Sequence, residues 1–172
     1  MKERELYKNI KKGVLEMLVT EYKTRLTDKG RVVLEKEVSV YCPDLDRRLN
    51  SPDKVEKFAR QYLRMHELPE EYMYLVCLNN KLEFTGVFEL SHGNVNSSIV
   101  GMRELFQKAL LANAVNIVLM HNHPSGDPAP SREDIKVTER AVEAGKLLGV
   151  EVIDHLIVGK PGYVSLREKG YM

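Results

Sequence analysis

Apolar positions along this chain recur with two different periods, and the periods predict where helices and strands lie. Near the N-terminus, "ELYKNIKKGVLEMLV" sets Leu6, Ile10, Val14, Leu15 and Leu18 on one face of a helix. The next stretch, "EYKTRLTDKGRVVLEKEVSVY", contains the turn signal Asp28-Lys29-Gly30 between two segments able to extend. Val38 and Val40 stand at period two within it, so the pattern predicts a hairpin. "CPDLDRRLN" reads as a loop, and the chain divides near residue 50. The expectation is a helix-plus-hairpin extension over 1–50 and a main domain over 51–172.

The main domain opens with "SPDKVEKFARQYLRMHEL", where Ser51 suits a helix cap and Pro52 the first helical position. Val55, Phe58, Ala59, Tyr62, Leu63 and His66 form its stripe. "YMYLVCL" and "LEFTGVFEL" predict two strands, and "MRELFQKALLANA" returns to helical period through Leu105, Phe106, Ala109 and Leu110. "VNIVLM" is short, branched and wholly apolar, which predicts a buried strand. A further helix runs from Ser131 to Gly149, and "VEVIDHLIVG" and "GYVSLRE" close the chain as strands around the turn "KPG". The order predicts an α/β fold, a mixed β-sheet flanked by helices.

Composition narrows the function classes without choosing one. A net charge of +1 announces neither a nucleic-acid partner nor an acidic substrate. The first 13 residues carry five Lys/Arg against two Glu, a local excess that suits a solvated helix face. No apolar run is long enough to span a membrane, and the N-terminus lacks the apolar core of a signal peptide. A cytoplasmic protein is the expectation, with Cys42 and Cys77 kept reduced.

The chemistry concentrates in "HNHPSGDPAPSRED", residues 121–134, which holds two of the five histidines and three of the seven prolines. On a helix, residues i and i+2 diverge by about 200°, whereas on a strand they share a face. The preceding "NIVLM" favours the strand, so His121 and His123 emerge together, either as a metal-binding pair or as two unrelated residues of a surface turn. Asp134 also has two roles open to it. "SRED" is a capping box in which Ser131 caps the helix and Asp134 reaches back. Alternatively, the proline-stiffened loop returns Asp134 to the histidines, giving three ligands and an open fourth position, the pattern of a catalytic zinc site.

The same stretch resembles the JAMM signature of the JAB/MPN metalloprotease superfamily: His-x-His-Pro, six residues, Ser, two residues, Asp. More narrowly, "HNHPSGDPAPS" with Asp134 and Thr138, and "DHLIVG" at 154–159, looks like the RadC family. The resemblance covers about residues 51–172. Asn122 departs from the Ser or Thr of many JAMM proteases and matches RadC-like members. The resemblance implies a JAB/MPN-like fold, a zinc ion on His121, His123 and Asp134, and oxyanion stabilisation by Ser131. It also implies a glutamate acting on the metal-held water. Glu70, Glu71, Glu83, Glu89 and Glu104 are candidates; the family spacing selects Glu71, with Glu70 next.

The remaining residues take plainer expectations. His155 is a buried structural histidine before it is a support for the site, His66 is the polar edge of a helix, and His92 is a turn residue. Nothing nearby supports Cys77 as a nucleophile. Three functions compete. The first is a zinc metallopeptidase or isopeptidase acting on a peptide or protein substrate. The second is a DNA-repair-associated role on DNA, which the net charge does not favour. The third is a non-catalytic zinc-binding interaction domain. Asp134 is expected to turn to the metal rather than back to Ser131.

Overall fold

The computed structural model describes residues 16–93 and 100–172. Its elements run β1 (Glu16–Leu26), β2 (Val32–Asp46), α1 (Pro52–Gln61), a 3-10 turn (Met65–Glu67), β3 (Tyr72–Leu78) and β4 (Phe84–His92). They continue with α2 (Met102–Leu111), β5 (Asn116–Asn122), α3 (Arg132–Leu148), β6 (Glu151–Val158) and β7 (Tyr163–Ser165). The strands form one seven-stranded sheet in the order β2-β1-β4-β3-β5-β6-β7. β5 pairs antiparallel with β3 and parallel with β6, so the sheet is mixed.

Each face of the sheet buries its own helices, the layered arrangement expected of an α/β fold. On one face Val76, Val118, Met120 and Leu156 pack against Val55, Phe58 and Ala59 of α1. On the other, Leu75, Cys77, Ile117 and Leu119 meet Leu105, Phe106 and Ala109 of α2 and Val137 and Ala141 of α3. Central β5 is buried at every position, as its unbroken apolar run predicts for a strand covered on both sides. Among the described residues no helix is long and apolar enough to cross a membrane.

Four local expectations are corrected. Most of the predicted N-terminal helix lies outside the described residues, but from Glu16 onward the chain is strand, not helix. Met17 and Val19 are fully buried while Leu18 is 37% exposed. That alternation has period two, and the pairing with β2 stabilises it over the helical spacing. "CPDLD" is no loop: β2 runs on through Asp46, and a register shift between Glu16 and Met17 takes up the irregularity around Pro43. Ser51 sits at the cap position of α1 in extended geometry, yet its side chain makes no capping hydrogen bond. Finally, α1 stops at Gln61. Arg64 takes a φ of +51°, and the 3-10 turn then buries Met65 instead of His66.

The hairpin and the helix–strand order otherwise follow the sequence pattern. β1 and β2 extend the sheet beyond β4 through the parallel bridge Glu21–Val87. Met17, Val19, Leu45 and Leu49 join the α1-side core.

Candidate metal centre

The site forms where β5 runs out of apolar residues. Ile117, Leu119 and His121 alternate onto the face covered by α2 and α3, so the first histidine follows the strand's inward register. His123 stands one step past the strand, and its N–H donates to the Val158 carbonyl at 3.0 Å. His121 is fully buried and His123 is 17% exposed, so the pair bridges core and solvent. Their Nε2 atoms lie 3.0 Å apart.

The proline-containing loop folds back. Gly126, at a φ of +90°, donates to the His123 carbonyl at 2.9 Å, and its own carbonyl accepts from Lys160 at 3.0 Å. Arg60 braces the β6–β7 turn by donating to the carbonyls of Gly159 (2.8 Å) and Gly162 (3.0 Å). Gly159 packs directly against the loop. A Cβ there would meet the Gly126 carbonyl oxygen and lie 2.7 Å from Pro128 Cδ, and neither backbone can give way. Gly159→Ala should therefore cost roughly 1–3 kcal/mol, as other over-packed sites do. The melting midpoint should fall by several degrees and metal retention should weaken with it. Parallel thermal melts and metal titrations check this, and an unchanged melt would show the loop to be freely displaceable.

The loop delivers α3 with its capping box intact. Ser131 Oγ accepts from the Asp134 N–H at 3.1 Å, and Asp134 Oδ2 accepts from the Ser131 N–H and Oγ–H, both at 2.7 Å. The same carboxylate faces the imidazoles, with Oδ1 at 3.2 Å from His121 Nε2 and Oδ2 at 3.5 Å from His123 Nε2. Capping and facing the histidines are thus not alternatives, which corrects the either-or expectation. The cap fixes the first turn of the helix, and that turn aims the carboxylate.

His155 is buried and hydrogen-bonded, as expected, and it also touches the site. It is fully buried, and its Nε2 lies 2.8 Å from His121 Nδ1. Its Nδ1 lies 2.7 Å from Thr138 Oγ1, whose single proton goes to the Asp134 carbonyl at 2.6 Å. Proton positions follow from this inventory. Thr138 must accept from His155 Nδ1–H, so His155 Nε2 accepts from His121 Nδ1–H. His123 Nδ1–H likewise donates to the Asp127 carbonyl at 2.8 Å. Both Nε2 lone pairs are therefore left facing each other at 3.0 Å, which is favourable only with a cation, proton or metal, between them. Burial, reinforced by His121, holds the His155 pKa well below the ordinary imidazole range and keeps it neutral in this relay.

Among the described residues, Glu71, His121, His123 and Asp134 form a group whose ligand atoms all lie within 4.8 Å of one another. Ligands about 2.05 Å from a tetrahedral ion stand about 3.3 Å apart. His121 Nε2 stands 3.0 Å from His123 Nε2 and 3.2 Å from Asp134 Oδ1, both close to that edge, and the other carboxylate oxygen, Oδ2, stands 3.5 Å from His123 Nε2. Glu71 Oε1 lies farther out, 3.9 Å from His121 Nε2. The donor set fits a divalent cation held by two imidazoles and one carboxylate.

The electrostatics agree. Burial works to raise the Asp134 carboxyl, but the imidazoles of His121 and His123 in their cationic form, with the hydrogen bond from Ser131, prevail and hold it well below the usual carboxylate range. Asp134 raises His123 against the effect of burial, so its negative charge favours a cation at His123 Nε2. Burial raises Glu71; the two imidazoles offset this only in part, and Asp134 adds to it.

The other candidates lie elsewhere. Glu70 is exposed and contributes a backbone carbonyl to Asn122 rather than its carboxylate to the group. Glu83 bonds Asn79 and pairs with Arg47, Glu89 pairs with His92 at the end of β4, and Glu104 pairs with Arg103. Cys77 is buried, which pushes its thiol up to about 12, and both cysteines are free. Sequence reasoning placed the contact between His155 and the site second to a purely structural role. Its only sequence signal was the "DHLIVG" stretch, because the contact depends on the parallel register that sets His155 beside Leu119.

A family model described as the RadC-like JAB domain matches residues 49–171. The chain belongs to the RadC-like JAB domain family. This RadC-like chain is 42% identical over 139 residues to a UPF0758 protein of Methanococcoides burtonii, covering 81% of this chain and 60% of that relative. It is 46% identical over 143 residues to a UPF0758 protein of Caldanaerobacter subterraneus subsp. tengcongensis, covering 83% and 60%. A Bacillus cereus UPF0758 protein is 44% identical over 124 residues, covering 72% and 54%. The RadC-like chain thus spans between 54% and 60% of the length of these relatives. The mixed sheet with helices on its faces is the α/β architecture expected of the family.

Proposed function

We propose that this RadC-like JAB domain is a zinc-dependent metallohydrolase of the JAMM type that cleaves a peptide or isopeptide bond in a protein substrate. One observation carries the reading. Two imidazole lone pairs converge with the Asp134 carboxylate at separations of 3.0 to 3.5 Å, while a fourth group, Glu71, stands just outside them. His121, His123 and Asp134 would hold the zinc, which when bound supplies Lewis-acid activation of a water molecule and of the scissile carbonyl.

The chain's own residues do the rest. Glu71 is close enough to accept a proton at Oε1 from a water held beside His121 and to pass it to the leaving amine. Its raised pKa suits both halves of that task, because a carboxyl closer to neutrality both takes and releases a proton readily. Ser131 lies at the same mouth, with its hydroxyl proton on Asp134 Oδ2. Rotation of that O–H toward the substrate carbonyl would add a donor to the developing oxyanion.

Incubating the zinc-loaded chain with linear peptides, lysine-branched peptides and duplex DNA tests the reaction class. Amide cleavage with intact DNA is expected. Cleavage of DNA alone would transfer the site to phosphodiester chemistry. Tight zinc binding with no cleavage across the panel would favour a zinc-stabilised interaction domain.

A further inference from the structure

Between the two histidines stands Asn122, 1% exposed and directed to the opposite face of the sheet from His121. Its side-chain amide does not approach the metal group. Instead Oδ1 accepts from the Tyr72 N–H at 2.8 Å, and Nδ2 donates to the Glu70 carbonyl at 2.9 Å. These are the backbone groups on either side of Glu71. A third contact comes from the other side, where the Gly93 N–H donates to the Glu71 carbonyl at 3.0 Å.

We propose that Asn122 is the positioning residue for Glu71, an amide clamp through which the metal-binding strand sets the direction of the candidate base. This rests on the reading of Glu71 as that base. Two requirements select the amide. The clamp must donate to one backbone carbonyl and accept from an N–H two residues on, and among short side chains only a primary amide offers both at that spacing. It also lies beyond the last regular β3–β5 pair, Met73–His121, so the side chain continues the pairing where the backbone ladder ends.

The consequence follows from strand geometry. A one-residue slip at the start of β3 would exchange Glu71 for Glu70, because successive side chains point to opposite faces. Asn122 bonds the residue before and the residue after Glu71 and so locks that register. His121 and Asn122 are adjacent in sequence, which ties the ligand and the base to one short segment. No contact joins Asn122 to a metal-facing atom, so its loss should leave metal affinity nearly unchanged while Glu71 loses its direction.

The test uses the full chain loaded with cobalt(II) and reads the pH midpoint of the visible cobalt spectrum. Removing a carboxylate beside the metal favours deprotonation there, so Glu71→Gln should lower the midpoint by about one pH unit, a tenfold change in proton affinity. Asn122→Ala should lower it by at least half as much, with cobalt affinity within about threefold of the parent. Combined with Glu71→Gln, it should add nothing. Asn122→Leu refills the space and should behave like Asn122→Ala if the smaller variant is poorly folded. If Glu71→Gln moves the midpoint and neither Asn122 variant does, the clamp is overturned. It is overturned equally if the Asn122 effect persists in the Glu71→Gln background, since it would then act on the metal ligands. A midpoint indifferent to Glu71→Gln refutes the role of Glu71 itself, and the clamp with it.

Discussion

Asp134→Ala is expected to weaken zinc binding on the order of 100-fold or more, beyond the 10- to 100-fold typical of losing a supporting group. Three effects combine. The anionic ligand is lost, the two imidazoles lose the negative charge that favours a cation between them, and the loop loses its anchor. The third is local: Asp134 Oδ2 receives both the N–H and the O–H of Ser131, so the alanine also uncaps α3 at a cost of about 1 kcal/mol. Asp134→Asn separates the contributions. The amide oxygen still accepts from Ser131, so helix capping survives while the charge does not. Zinc titration with thermal melts reads both. Asp134→Ala should lower the melting midpoint of the metal-free chain and remove most of the zinc-induced rise, since a ligand stabilises by RT times the logarithm of one plus its concentration over Kd, and a weaker site gains little at the same zinc concentration. Asp134→Asn should remove the zinc-induced rise and largely spare the metal-free midpoint. Stoichiometric zinc retained in both variants, and in a His121→Ala/His123→Ala double variant, would place the metal elsewhere and sink the centre.

The second large effect belongs to Glu71→Gln. This change keeps size and hydrogen-bonding capacity but removes the proton acceptor, and a positioned acid–base group contributes about 100- to 10,000-fold to rate. Because Glu71 Oε1 lies 3.9 Å from His121 Nε2, outside the spacing of the three proposed ligands, zinc affinity should change little. Amide cleavage measured under single-turnover conditions should collapse while zinc content stays at one per chain. Glu70→Gln is the control. Glu70 is exposed and takes part through its carbonyl, so its substitution should leave both rate and metal untouched. If Glu70→Gln abolished cleavage and Glu71→Gln did not, Glu70 would be the base and the assignment of Glu71 would fall.

Short-range relations were legible in the chain because a helix or strand converts spacing directly into direction. The apolar run before His121 implied a strand, and period two implied that His121 and His123 emerge together. Ser131 and Asp134 stand three apart, the spacing of a helix cap, and the structure has that cap. The same logic misled at the N-terminus. Leu18 fits a helical stripe, but Met17 and Val19 are the buried pair, and that choice belongs to β2 and to the core beneath.

Spacing along the chain therefore carried the local aim of each group: two imidazoles leaving one strand end together, and a capped helix opening on a carboxylate. That the loop brings these groups together, and how they are held, follows from long-range packing. The His121–His155 contact spans 34 residues, and the Asn122–Tyr72 contact spans 50. Both depend on the register of neighbouring strands. Register is set by the whole sheet burying its two faces at once, a global condition that no local pattern contains. The same condition lets one carboxylate cap its helix and face the histidines together, two roles that spacing alone presented as rivals.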